Sequence, residues 1–164
     1  MVLEMKHPET GETIALEVGE MDVTRLQQLY APASSESQLS QQIDNLSLPP
    51  EMKALLAKLK DFSIQVGSVA LEIGKKILEV LIYFVKKFPN TSVGLVVGSV
   101  IGLMISNIPL IGWAISWLAM PLCAGLGLAF GFWKDMKNED LKDMASQAIS
   151  QIFDPLKTVS IPNV

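Results

Sequence analysis

The chain has 164 residues, of which 49% are apolar and 18% are charged, and its formal net charge is −4. This length suits one ordinary domain, and the acidic balance argues against a nucleic-acid partner. A single cysteine, Cys123, excludes an intrachain disulfide, and a single histidine, His7, leaves no set of residues for zinc or nucleophilic chemistry. We therefore expect no enzyme activity, no cofactor and no metal site.

The first thirty residues predict a small soluble module of mixed structure. Partial alternation in "VLEMK" and "TIALEV" predicts a β-hairpin over residues 2–18, turned at Pro8 and Gly11. Asp22 is a suitable N-cap for a helix in "MDVTRLQQLY". The opening "MVLEMKHPET" lacks the apolar core of a signal peptide, so we expect any membrane insertion to depend on an internal segment.

Residues 31–50 have the Ser, Gln and Pro content of a linker, and a single long amphipathic helix is predicted to follow over residues 51–88. Gly67 and Gly74 interrupt this helix, which indicates that another backbone approaches closely there. The helix is predicted from apolar residues at steps of three and four, which include Met52, Leu55, Leu56, Leu59, Phe62, Val66, Val69, Ile73, Ile77, Val80, Leu81 and Phe84.

Charged side chains recur at helical spacing inside this segment. They are Glu72, Lys75, Lys76 and Glu79. At steps of three and four such residues pair on a solvated helix face, which is the ordinary interpretation. The alternative is that they line a polar path in an assembly, with Asn107 at its mouth.

The stretch from Thr91 to Trp133 contains no charged residue and is long enough for two membrane spans. We predict spans over about 91–107 and 112–133, with a reversal in "SNIPLIG". The lysines at both outer ends predict cytoplasmic termini. These features predict an integral protein of a bacterial inner membrane. Its interfacial anchors are Trp113, Trp117, Trp133, Lys86, Lys87 and Lys134.

Small residues recur every four positions in both predicted spans, which allows helix backbones to approach closely. The ladders pack either within one hairpin or between chains of a homo-oligomer. The first consists of Gly94, Gly98, Gly102 and Ser106, and the second of Ala119, Cys123, Gly127 and Gly131.

An amphipathic helix over residues 138–154 and a short tail over 155–164 complete the chain. The order of an amphipathic helix, a charge-free hairpin and a charged amphipathic helix resembles the layout of the pore-forming domains of colicins. Those domains bury such a hairpin in their soluble form. The resemblance therefore leaves open a soluble fold that hides the hairpin.

The predicted fold class is a mainly α membrane protein. It comprises a small N-terminal α+β module, a long amphipathic helix, a two-span hairpin and a C-terminal amphipathic helix. The first functional hypothesis is a pore- or channel-like oligomer in the lipid bilayer, regulated by its cytoplasmic module. The alternative is a membrane-anchored, non-conducting adaptor that recruits a protein partner through residues 1–50.

Overall fold

The computed structural model describes residues 1–125, 139–157 and 159. Its elements are, in chain order, β1 (Val2–Lys6), β2 (Thr13–Glu17), α1 (Val23–Tyr30), α2 (Glu36–Asp44), α3 (Pro50–Lys58), a 3-10 turn (Leu59–Asp61), β3 (Ser63–Val66), β4 (Val69–Leu71), α4 (Ile73–Lys87), α5 (Val93–Asn107), α6 (Pro109–Gly125), α7 (Glu139–Ile152) and a second 3-10 turn (Asp154–Leu156).

The four strands form one antiparallel sheet in the order β2-β1-β3-β4. The N-terminal hairpin is present where the alternation predicts it, and Leu3 pairs with Leu16 across β1 and β2. On its other side Leu3 pairs with Val66 of β3. Successive side chains point to opposite faces of a strand, so Leu3 and Met5 are buried while Val2 and Glu4 are exposed. The sheet therefore has one face toward the core and one toward solvent.

The prediction of one continuous helix over residues 51–88 is wrong. The helical stripe holds through α3 and its 3-10 turn, but "SIQVGSVAL" then forms the β3–β4 hairpin. Gly67 begins a two-residue loop there with φ +61°, a conformation that glycine adopts without strain. Apolar residues recur every second position in a strand, and every second one of them also falls at the four-residue spacing of a helix. The apolar residues of this hairpin therefore fit the helical pattern as well.

Gly74 lies where the backbone of another segment approaches closely, as the sequence predicts for it. Its amide donates to the carbonyl of Phe62 at 2.9 Å. A Cβ atom added at Gly74 would overlap the carbonyl oxygen of Leu59 and lie 3.0 Å from that of Phe62. The first turn of α4 therefore docks directly on the chain that leads from α3 into β3.

Helix α5, in the first half of the charge-free stretch, forms the centre of the fold among the described residues. Residues 96–104 of α5 are all buried, and α5 contacts α4, α6 and α7. Ser92 caps α5, and α6 starts at Pro109 after a single intervening residue, Ile108. The hydroxyl of Ser99 is the one buried side-chain polar atom without a hydrogen-bond partner among the described residues.

The lengths of α5 and α6 contradict the predicted transmembrane fold class. α5 has 15 residues and α6 has 17. In the part of the chain that the structure describes, no helix is both long and apolar enough to cross a bilayer. The predictions of a two-span hairpin, of a pore-forming protein and of an inner-membrane location are therefore wrong for these residues. A lipid interior and a protein interior favour the same side chains, so composition did not separate them.

The helix α7 packs against α5 and contacts the end of α1. Leu141, Ala145 and Ile149 are buried on one face of α7. The buried hydroxyl of Tyr30, at the end of α1, donates to the carbonyl of Ile152 at 2.8 Å. Its ring stacks on Phe153 with 5.9 Å between the ring centroids. One tyrosine thus connects the N-terminal third of the chain to its C-terminal helix.

Candidate functional site

In the part of the chain that the structure describes, the β2 strand forms an open edge of the sheet. Among the described elements, only β1 makes extensive contact with β2. The amide of Val18 donates to the carbonyl of Met1 at 2.8 Å, and the amide of His7 donates to that of Glu12 at 2.8 Å. These bonds and the register place the even-numbered residues of β2 toward β1. The N–H and C=O groups of the odd-numbered residues therefore point away from the sheet.

Negative charge is concentrated around this edge. Residues 1–22 hold six of the 17 acidic residues of the chain but only one of its 13 basic residues, Lys6. The acidic residues are Glu4, Glu9, Glu12, Glu17, Glu20 and Asp22, and all six are exposed. Within the described residues none of them forms an ion pair, because the two salt bridges join Lys75 to Glu72 and Lys76 to Glu79. We call residues 1–22 the acidic face.

A groove of about 450 Å³ lies at the C-terminal end of β2. Its walls combine three acidic residues, Glu17, Glu20 and Asp22, and one basic residue, Arg25, with the apolar side chains of Met21, Leu26, Pro155 and Val159, so its formal charge is negative by two. Asp22 also caps α1, since its carboxylate accepts the amide of Arg25 at 3.1 Å. The groove can take a long side chain that has an apolar stem and a positively charged head.

The turn between β1 and β2 is held by His7. Its Nδ1 atom accepts the amides of Glu9 and Thr10, each at 3.2 Å. Nδ1 is therefore the hydrogen-bond acceptor that orders this turn. Among the described residues no group of three or more His, Cys, Asp and Glu side chains has the geometry to hold a metal ion.

Two of the three tryptophans predicted as interfacial anchors, Trp113 and Trp117, lie against this turn. The rings of His7 and Trp113 meet edge to face with 5.0 Å between their centroids. The indole N–H of Trp117 donates to the carbonyl of Ala114 at 2.6 Å. The ammonium of Lys58 lies 5.8 Å from the centroid of the Trp117 ring, within the range of a cation–π contact. Both tryptophans thus fasten α6 to the N-terminal turn and α3.

The other predicted anchors fall into two groups. Lys86 and Lys87 are exposed in the last turn of α4, where positive charge is favourable beside the free carbonyls. Trp133 and Lys134 lie outside the described residues.

The charged residues predicted as a polar path lie at the start of α4. Lys75 pairs with Glu72 at 2.9 Å, and Lys76 lies 3.8 Å from Glu79. The other carboxylate oxygen of Glu79 accepts the amide of Ser34 at 2.9 Å. Glu79 therefore fixes the loop before α2 onto α4. Asn107 is exposed and donates to the carbonyl of Leu103 at 2.8 Å.

The small-residue ladders are only partly within the described residues. Gly98 and Gly102 are buried, Gly94 is half-buried and Ser106 is exposed. Ala119 and Cys123 lie on α6, while Gly127 and Gly131 lie outside the described residues. The middle of the first ladder is therefore covered within one chain.

Sequence reasoning missed the acidic face as a site. The uneven distribution of charge is visible in the first 22 residues and was the available signal. The open edge was not visible, because it depends on the pairing of β1 with a β3 strand that the helical stripe concealed.

Comparison with known proteins adds no information on function, so the function is argued from this geometry alone. No family model, no curated protein and no solved structure matches the chain.

Proposed function

We propose that this protein is an adaptor that recruits a protein partner with a basic segment, and that the partner binds the acidic face. The observation that carries the proposal is the unpaired negative charge of residues 1–22 at an open sheet edge. A surface of one sign steers a partner of the opposite sign and raises its association rate. The fold supports this use, since the charge-free helices form the core and the hairpin presents its charges outward.

The proposal is tested with a defined basic probe. Fluorescence anisotropy would measure the binding of a labelled octapeptide of alternating lysine and valine, and of the same peptide with glutamate in place of lysine. We expect only the lysine peptide to bind, with an affinity that falls as ionic strength rises from about 0.05 to about 0.15 M.

A matched pair of charge variants locates the binding. Glu12→Gln, Glu17→Gln and Glu20→Gln combined remove three charges from the acidic face, and we expect about tenfold weaker binding. The control combines Glu139→Gln, Asp140→Asn and Asp143→Asn, exposed residues in the first turns of α7. It changes the net charge equally, and we expect less than about twofold loss. Equal losses in the two variants, or equal binding of the two peptides, would refute the adaptor proposal.

A further inference from the structure

We infer that the basic segment binds as an extended antiparallel strand added to β2, with a lysine or arginine side chain opposite Glu17. This inference rests on the proposed function and specifies its mode of recognition. Addition of a peptide strand to an exposed sheet edge uses main-chain hydrogen bonds for affinity and side-chain contacts for specificity.

The backbone of β2 presents the necessary groups. The hydrogen bonds from Val18 and His7 fix the even-numbered residues as the β1-facing set. Thr13, Ala15 and Glu17 therefore direct their N–H and C=O groups away from the sheet, and their side chains are exposed. Three residues at alternate positions suit a peptide strand of about five to seven residues.

The edge lacks several of the features that prevent strand addition, and its one charged side chain, Glu17, repels an acidic strand and not a basic one. Its five residues, TIALE, include no proline and no lysine, and they pair with β1 one to one without a bulge. The opposite edge differs, because β4 has only three residues and contacts α1. Among the described residues the sheet thus has a five-residue edge that is paired on one side only and a three-residue edge beside a helix. All three existing pairings are antiparallel, so we assign the added strand the same sense.

Charge selects a basic peptide over a second copy of this chain. A strand beside β2 places its side chains about 5 Å from those of Thr13, Ala15 and Glu17. Glu12 and Glu20 lie near the two ends of the same strand, and neither forms an ion pair among the described residues. Pairing of two β2 edges would bring two uncompensated acidic faces together, whereas a basic strand neutralises one.

The groove beyond Glu17 gives this recognition a preferred position. A lysine or arginine opposite Glu17 lies on the exposed face of the sheet, at the end of the strand where the half-buried Met21 lines the groove. Its charged head then lies near the carboxylates of Glu20 and Asp22. The inference therefore predicts that the partner needs a basic residue at this position and tolerates variation farther along the strand.

Backbone methylation of the probe separates strand addition from simple attraction of charges. In the antiparallel arrangement, the lysines of the octapeptide lie on the exposed face opposite Glu17 and direct their N–H groups toward β2. N-methylation of the lysine nitrogens should weaken binding by tenfold or more, since several hydrogen bonds of about 1 kcal/mol are lost. N-methylation of the valine nitrogens should change it by less than about threefold, because those groups point away.

Two variants of the protein, in place of modified peptides, test the same edge of the sheet. Ala15→Pro removes an outward N–H from β2, and Ala70→Pro removes the equivalent N–H from β4. We expect Ala15→Pro to weaken binding of the unmodified peptide about tenfold and Ala70→Pro to leave it unchanged. The methylated peptides use the wild-type chain, so they decide the matter even if a proline variant fails to fold.

The outcomes distinguish the inference from the proposed function. Binding of the lysine peptide that is equally insensitive to both methylation patterns would overturn strand addition while leaving the acidic adaptor intact. Absence of any binding would overturn both. A native mass of two chains that reverts to one in Ala15→Pro would show that a second copy occupies the edge, and would also overturn the inference.

Discussion

Tyr30 is the residue on which the connection between α1 and α7 depends. Its hydroxyl is buried and bonded to the Ile152 carbonyl, and burial, together with Asp154, raises its pKa well above the ordinary value of 10, although Arg25 acts in the opposite sense. The neutral phenol is therefore favoured in the folded chain. Its contribution to stability is fully present below the unfolded pKa, near pH 10, and is lost as the pH rises above that value.

Tyr30→Phe should lower the free energy of unfolding by about 1 kcal/mol at pH 7, because it removes the bond to Ile152. The deficit relative to wild type should shrink above pH 10, by up to about 1.4 kcal/mol per pH unit. Urea unfolding at pH 7, 9 and 11 measures both effects. Tyr83→Phe is the matched control, since Tyr83 is 54% exposed, and it should leave the pH profile unchanged. A Tyr30→Phe deficit that stays constant to pH 11 would contradict the burial of this hydroxyl.

Gly74 is the second residue with a specific structural requirement. Gly74→Ala would place a Cβ against the Leu59 backbone, which cannot move as a flexible side chain would. We expect a loss of at least about 3 kcal/mol in the free energy of unfolding, although alanine ordinarily favours a helix over glycine by about 1 kcal/mol. Gly19→Ala, which meets nothing within 4 Å, is the control and should change stability by less than about 0.5 kcal/mol. A neutral or stabilising Gly74→Ala would contradict this close approach.

At the scale of elements, the β3–β4 hairpin is where the structure and the sequence pattern disagree most. In a continuous helix, Gly67→Ala would stabilise the protein by about 1 kcal/mol. In the hairpin, Gly67 has φ +61°, so the same substitution should destabilise by about 1–2 kcal/mol. Thermal or urea unfolding of this variant beside Ser68→Ala measures the sign. Stabilisation by alanine at position 67 would restore the helical prediction.

The elements that sequence patterns predict are those with one dominant periodicity. The alternation of β1 and β2, the Asp22 cap of α1 and the break at Pro109 all have local causes in the side chains involved. Residues 63–71 also match the helical stripe, because Ile64, Val66 and Leu71 are apolar in either arrangement. Pairing with β1 decides between the two, and that pairing joins residues about sixty positions apart.

At the scale of the whole molecule, sequence reasoning did not decide whether lipid or protein surrounds the charge-free helices. Residues 96–104 are buried, and α5 contacts α4, α6 and α7 of the same chain. An unbroken apolar segment therefore indicates burial but does not tell whether protein or lipid surrounds it. The charge of the candidate site was readable in residues 1–22. Its open edge was not, since edge status is a property of the assembled sheet.

The central claim is that the charge-free helix α5 forms the inside of this fold while the odd-numbered residues of β2 form an open outside edge. Amide hydrogen exchange of the peptide-free protein, measured residue by residue, tests both parts most directly. The account predicts the slowest exchange at residues 96–104 and fast exchange at the amides of Thr13, Ala15 and Glu17. Fast exchange throughout α5, or strong protection of those three β2 amides, would contradict it.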